Sequence, residues 1–127
     1  MTYVWPSLRY HDAPAAIEFL TQAFGFVATA VHKSKNDDTV VEHAELAWPP
    51  GGGIMLGTQR ESAESPGSTG HASCYVVTDD PDGLYTRAVS AGATVVQEPV
   101  DQDYESREFA VRDPEGNLWI FGTYAGE

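Results

Sequence analysis

His43 and Glu45 stand two positions apart in Thr39–Trp48, a stretch whose residues alternate between polar and apolar. In an extended chain that spacing puts both side chains on one face. A carboxylate beside an imidazole orients the ring and makes it more basic, so the pair is a candidate general base with its partner. The same spacing equally suits a solvated strand face or a structural hydrogen-bonded pair. His71, next to Gly70 at the start of a later apolar run, reads as a structural residue or as a further polar group for the same chemistry. His11 and His32 fall at element ends and read as exposed. Cys74 is the sole cysteine, which excludes an internal disulfide and a C-x-x-C zinc motif. It alternates with Ser73 and Tyr75 and so reads as an inert thiol on the opposite face. Gly51-Gly52-Gly53 has no following Lys-Ser/Thr and no helix, so it is not a phosphate loop. Asp113, Gly116 and Asn117 read as turn chemistry.

These residues need elements to position them. Val4–Tyr10 is extended, and Pro6 suits an edge or an end. Asp12 is a good N-cap, Pro14 fits a first helical turn, and Ala16, Ile17, Leu20, Ala23 and Phe24 recur at helical spacing up to Gly25. Phe26–Val31 is a strand and Ser34–Asp38 a polar turn. In Thr39–Trp48 the residues Ala44, Leu46 and Trp48 point one way, and Val41, His43, Glu45 and Ala47 the other. Ile54–Gly57 is a short strand, and residues 60–69 read as a linker.

The pattern then restarts. Ala72–Thr78 is a strand, and Asp79-Asp80-Pro81-Asp82 caps a helix carrying Leu84, Tyr85, Ala88, Val89 and Ala91. Gly92 ends it. Ala93–Val96, bounded by Pro99, then Arg107–Arg112 and Leu118–Tyr124 are strands. Asp12 precedes Gly25 by thirteen positions, as Asp79 precedes Gly92. This is a repeat of pattern with little identity. The expected fold is α+β, with two βαβββ modules (about 1–59 and 70–127) in a single domain spanning 1–127. The modules pair into one curved, partly closed mixed sheet with a helix on the outer face of each half.

At 127 residues with 42% hydrophobic content, the chain can build one ordinary core. Nineteen acidic residues against seven basic ones give a net charge of −12, which argues against nucleic acid and anionic membranes as partners. No apolar run approaches the roughly 20 residues of a membrane span, and the N-terminus lacks a signal-peptide pattern. Together with the lone thiol, this points to the cytoplasm.

Five segments carry a resemblance. Val77–Val96 is similar to the second-module strand–helix–strand of the vicinal oxygen chelate superfamily, which includes glyoxalases, bleomycin-resistance proteins and extradiol dioxygenases. Arg107–Trp119, with its Asp-Pro-x-Gly-Asn turn, resembles the closing hairpin of that superfamily, and Asp12–Gly25 its first helix. His43–Leu46 and Ile54–Gly57 resemble strands of its uncharacterised bleomycin-resistance-like branch. The resemblance implies metal ligands on the first and last strands of each module. In this chain those positions carry Trp5, Met55 or Gly57, Ser73 (with His71 its neighbour on the same face) and Ile120. Such a set offers a divalent cation little to bind, so neither a metal nor a cofactor is expected.

If Trp5 faces a cleft, Ser7 and Arg9 do so too; the alternative places Trp5 in the core. His43 and Glu45 then look inward with Met55, and Ser73, Tyr75, Leu118 and Ile120 join from the second module. Tyr104 and Arg107 frame the mouth, where Arg107 meets a ligand or simply pairs with a nearby carboxylate. Trp119 and Phe121 belong to the core. Aromatic walls with a few polar groups suit an organic ligand. The expectation is a metal-independent protein that binds a planar or aromatic small molecule, an antibiotic or a metabolite, without turnover. The resemblance adds a homodimer. The alternatives are an atypical enzyme of the same superfamily (a lyase, isomerase or dioxygenase) centred on His43, Glu45 and His71, or a partner-binding module with a closed cleft.

Overall fold

The computed structural model describes residues 2–60 and 69–127, so most of the expected 60–69 linker lies outside the described residues. Two modules of the same plan follow one another. The first runs β1 (Ser7–Tyr10), α1 (Ala13–Phe19), a π-helical turn (Leu20–Phe24), β2 (Val27–Lys33), β3 (Val41–Ala47) and β4 (Gly53–Thr58). The second runs β5 (Ser73–Val77), α2 (Pro81–Ser90), β6 (Thr94–Asp101), β7 (Arg107–Arg112) and β8 (Leu118–Gly122). Each module forms a four-stranded mixed sheet, ordered β1-β4-β3-β2 and β5-β8-β7-β6, with the first and last strands of the module parallel. The fold is the α+β arrangement of two modules with unclosed sheets.

The caps lie in the expected segments, although Asp80 rather than Asp79 caps α2, one residue off the thirteen-position spacing. Asp12 accepts the Ala15 amide at the start of α1, and Asp80 accepts that of Gly83 at the start of α2. Gly25 ends the first helix at φ +91°, a left-handed conformation that a β-carbon disfavours. Arg87 of α2 donates to the terminal carbonyls of that helix, from Nε to Gln22 (2.7 Å) and from Nη2 to Thr21 (3.1 Å). A cation at a helix C-terminus opposes the negative end of its dipole.

One face of each sheet is covered and the other left open. Leu8, Tyr10, Ala44, Leu46, Ile54 and Leu56 of the first sheet join Phe109, Val111, Trp119 and Phe121 of the second in one buried cluster. Phe24 ties the halves together, its ring 5.4 Å from Trp119 and 4.7 Å from Phe121. The sheets therefore meet through side chains on their covered faces, while Ser7, Arg9, His43 and Glu45 on one, and Ser73, Tyr75 and Val77 on the other, stand outside this core.

Several local expectations need correction. Val41 is 1% exposed and belongs to the core, not to the face of His43. The β2–β3 register slips between His32 and Lys33, and such a bulge turns the next side chain over. The first helix is not α-helical throughout: its last turn widens at Leu20–Phe24, where Leu20, Ala23 and Phe24 are all buried. The first strand begins at Ser7, the second runs on to Lys33, and the last stops at Gly122. Pro99 does not bound its strand. It lies inside β6, an edge position where its missing N–H breaks no ladder.

Asp113 does more than shape a turn. Its buried carboxylate accepts the Glu115 and Asn117 amides on Oδ1, and Tyr10 Oη (2.7 Å), Trp119 Nε1 (3.0 Å) and Asn117 Nδ2 (3.1 Å) on Oδ2. The neighbouring Glu115 accepts the backbone amides of His11 (2.7 Å) and Asp12 (2.9 Å). The Asp-Pro-x-Gly-Asn turn is thus a polar bolt from the second module into the start of the first.

Candidate functional site

The open face of the second sheet is built in rows across β5, β8 and β7. Ser73 faces Leu118 and then Arg112; Tyr75 faces Ile120 and then Ala110; Val77 faces Gly122 and then Glu108. The third row depends on glycine. A β-carbon at residue 122 would fall 2.5 Å from Tyr75 Oη and 2.6 Å from Glu108 Cγ, so only glycine lets these two side chains converge over β8. Above them lies a hollow of about 550 Å³ lined by Tyr75, Val77, Tyr104, Glu108, Ile120, Tyr124, Ala125 and Gly126. A second hollow of about 420 Å³ lies between the modules, bordered by Pro6, Phe26, Trp48 and Ile54 on one side and by Cys74, Tyr75, Val77 and Trp119 on the other. Tyr75, Val77 and Ala125 border both. Each volume lies within the roughly 300–1,000 Å³ common for small-molecule sites.

Polar groups fix this wall. Tyr104 Oη donates to Glu108 Oε1 at 2.7 Å, and Ser106 Oγ donates to Glu108 Oε2 at 2.9 Å. Tyr75 Oη donates to the Tyr124 carbonyl at 2.7 Å, and the Tyr124 amide donates to Ser106 Oγ at 3.1 Å. These bonds hold the segment after β8 against the hollow. The hydrogen bond to Glu108 is the main reason the Tyr104 phenol is pushed up to about 12. Partial burial raises Tyr75, and the Glu108 charge adds to it. Burial also raises the Cys74 thiol, with Asp113 contributing. Cys74 is half-buried rather than fully enclosed, and it borders the smaller hollow.

Of the residues expected from the sequence, Tyr75, Tyr104 and Ile120 come together here, and Ser73 lies further along β5 in the row of Leu118. Trp5, Ser7, Arg9, His43, Glu45 and Met55 line neither hollow; they mark the open face of the other sheet. There Ser7, Met55 and Glu45 form one row across β1, β4 and β3. The Trp5 ring lies over Gly53, and its indole N–H donates to the Thr2 carbonyl at 3.2 Å. The Arg9 guanidinium lies over Gly57. His43 Nε2 and Glu45 Oε2 are 2.8 Å apart, and His32 stacks on the imidazole with ring centroids 6.3 Å apart. His71 precedes β5 of the other sheet, is exposed, and hydrogen-bonds to neither. Arg107 turns from the cleft to the helix side, where it grips Asp82 through Nε (2.8 Å) and Nη2 (3.0 Å) and reaches Asp101 through Nη1. Trp119 and Phe121 are fully buried, as expected.

Val77, Glu108 and Tyr124 line the hollow although the sequence reading did not place them there, and of these Glu108 is the charged one. The signal was a carboxylate near the start of the strand Arg107–Arg112, out of phase with Phe109 and Val111 and four positions after a tyrosine.

The first and last strands of the modules present Ser7, Arg9, Met55, Gly57, Ser73, Tyr75, Leu118 and Ile120 on their open faces. This set has neither imidazole nor carboxylate and does not fit a divalent cation. Among the described residues, no group of three His, Cys, Asp or Glu side chains is placed to hold one. No helix among them is long and apolar enough to cross a membrane.

Comparison with known proteins places this geometry in a family. The sequence profile of the Glyoxalase/Bleomycin resistance protein/Dioxygenase superfamily matches residues 2–121. An uncharacterized protein of Mycobacterium tuberculosis, Rv0887c, is 32% identical over 92% of this chain and 71% of its own length. The crystal structure of TioX from Micromonospora sp. ML1 superposes with a TM-score of 0.78 at 29% identity, covering 96% of this chain and 98% of that one. A glyoxalase/bleomycin resistance protein from Streptomyces sp. CB03234 shares the fold at 22% identity, with a TM-score of 0.66 over 91% of this chain and 94% of its own. By its profile match over nearly the whole length, the chain belongs to the Glyoxalase/Bleomycin resistance protein/Dioxygenase superfamily.

Proposed function

We propose that this protein binds a planar or aromatic small molecule, an antibiotic or a metabolite, without a metal and without turnover. The observation that carries the reading is the hollow of about 550 Å³ walled by Tyr75, Tyr104, Tyr124, Val77 and Ile120. Flat amphipathic rings offer stacking area at low entropy cost, and the few polar groups among them set orientation. The donor chemistry of the four strands supports metal independence. The test is a thermal-shift screen of planar aromatic compounds, since a ligand that binds only the folded state raises its melting point. Saturable stabilisation that Tyr75→Ala removes supports the reading. A broad panel without saturable stabilisation refutes it.

The working unit is a homodimer that completes its clefts across a twofold axis through the open faces of the sheets. Both faces stand open in the single chain, and dimers are frequent in this superfamily. Light scattering at the mass of two chains, with ligand binding weakened by Trp5→Ala, is the expected result; a monomer at binding concentrations is the contrary one.

A further inference from the structure

We infer that the tyrosine-lined hollow selects organic cations: its ligand carries a protonated amine that seats on Glu108. The inference rests on the proposed binding function and names the chemical class. Glu108 is only 7% exposed yet lines the hollow. A carboxylate has about four acceptor positions. Tyr104 and Ser106 occupy two of them, one on each oxygen, and both donors are neutral hydroxyls. No basic side chain among the described residues pairs with Glu108: the adjacent Arg107 is committed to Asp82 and Asp101 on the opposite face of the strand, and Arg112 donates to the Gly116 carbonyl. A buried charge is ordinarily paired. The counter-charge missing within the chain fits a ligand that brings it.

The surroundings favour the same chemistry. Tyr75 and Tyr124 join Tyr104 in lining the hollow, and the Tyr104 and Tyr124 rings meet edge to face with centroids 6.0 Å apart. Aromatic faces attract cations. Gly122 is the residue that makes room for Tyr75 and Glu108 to converge. The net charge of −12 would draw any cation toward any site, so the selectivity must be traced to Glu108 itself.

Three anthracenes of similar shape serve as probes: 9-(aminomethyl)anthracene as the cation, 9-(hydroxymethyl)anthracene as the neutral form and 9-anthracenecarboxylate as the anion. Calorimetric titration of the whole chain should show the amine binding roughly tenfold or more tighter than the alcohol, as a charge-assisted hydrogen bond implies. In Glu108→Gln that preference should vanish, the ratio of amine to alcohol affinity falling to about one. The exposed Glu98→Gln, which removes the same charge elsewhere, should keep it. Gly122→Ala, which drives Tyr75 and Glu108 apart, should lose it independently, and circular dichroism establishes that each variant is folded. If the amine and alcohol bind the natural chain equally, the cation inference is overturned and the planar-ligand reading survives. A preference that persists in folded Glu108→Gln also overturns it. If none of the three binds and the wider aromatic panel fails too, both readings fall.

Discussion

Removing the Asp113 carboxylate should damage the fold far more than removing any one of its donors. Asp113→Ala strands three side-chain donors in the interior: Tyr10 Oη, Trp119 Nε1 and Asn117 Nδ2. Each buried group left unpaired costs about 1–3 kcal/mol. Water entering the vacated space recovers part, so the expected loss is about 3–5 kcal/mol. Tyr10→Phe removes one donor and leaves the carboxylate with four, at a cost of about 1–2 kcal/mol. Against a typical stability of roughly 5–15 kcal/mol, the first change is severe and the second mild. Urea denaturation followed by tryptophan fluorescence measures both; with a slope of about 2 kcal/mol per molar, Asp113→Ala should move the midpoint by roughly 1.5–2.5 M. The double variant is the stringent arm. Once the acceptor is gone, Tyr10→Phe removes an orphaned hydroxyl and should cost nothing or even stabilise. Equal losses in the two single variants, or additive losses in the double one, would refute the reasoning.

Further outcomes follow from the same geometry. Burial, then the Asp113 charge, raises the Tyr10 phenol above its ordinary 10.0, so its contribution to stability is complete below that value and declines as the pH climbs beyond it. The urea midpoint should therefore fall above about pH 10, and fall less in Tyr10→Phe; identical slopes in the two proteins would contradict this. Ultraviolet titration of phenolate absorbance should show one tyrosine ionising at about 12, assigned to Tyr104 by its loss in Tyr104→Phe. In Glu108→Gln that titration should return toward the ordinary value of 10.0. Arg107→Ala should change stability by no more than about 1 kcal/mol, because exposed ion pairs contribute little, and leave probe binding intact; a binding defect would return Arg107 to the cleft.

Much of the scaffold was legible in particular residues. Asp12 with Gly25, and Asp80 with Gly92, bracket both helices because caps are local chemistry. The alternation of Ala44 and Leu46 against His43 and Glu45 fixed the face of β3. Features set by pairing between strands were not legible. The bulge that buries Val41 depends on the register of β2, and the tolerance of Pro99 depends on β6 being an edge. The site was legible only in part. Tyr75, Tyr104 and Ile120 were visible as inward or mouth residues, whereas Glu108 is defined by Gly122 across the sheet and by the chain after β8. Arg107, a neighbour of Glu108 in sequence, points the other way and finds two carboxylates that a linear reading does not bring near it.

The bolt at Asp113 also constrains the order of biosynthesis. Tyr10 and its acceptor are separated by 103 positions, as are Asp12 and Glu115. While the ribosome is making the first half, the hydroxyl of Tyr10 and the amides of His11 and Asp12 have no native partner to meet. Their completion waits for the translation of residues 113–117, so the opening segment is finished only when the last hairpin emerges. The two halves share a plan, but during synthesis the earlier one depends on the later.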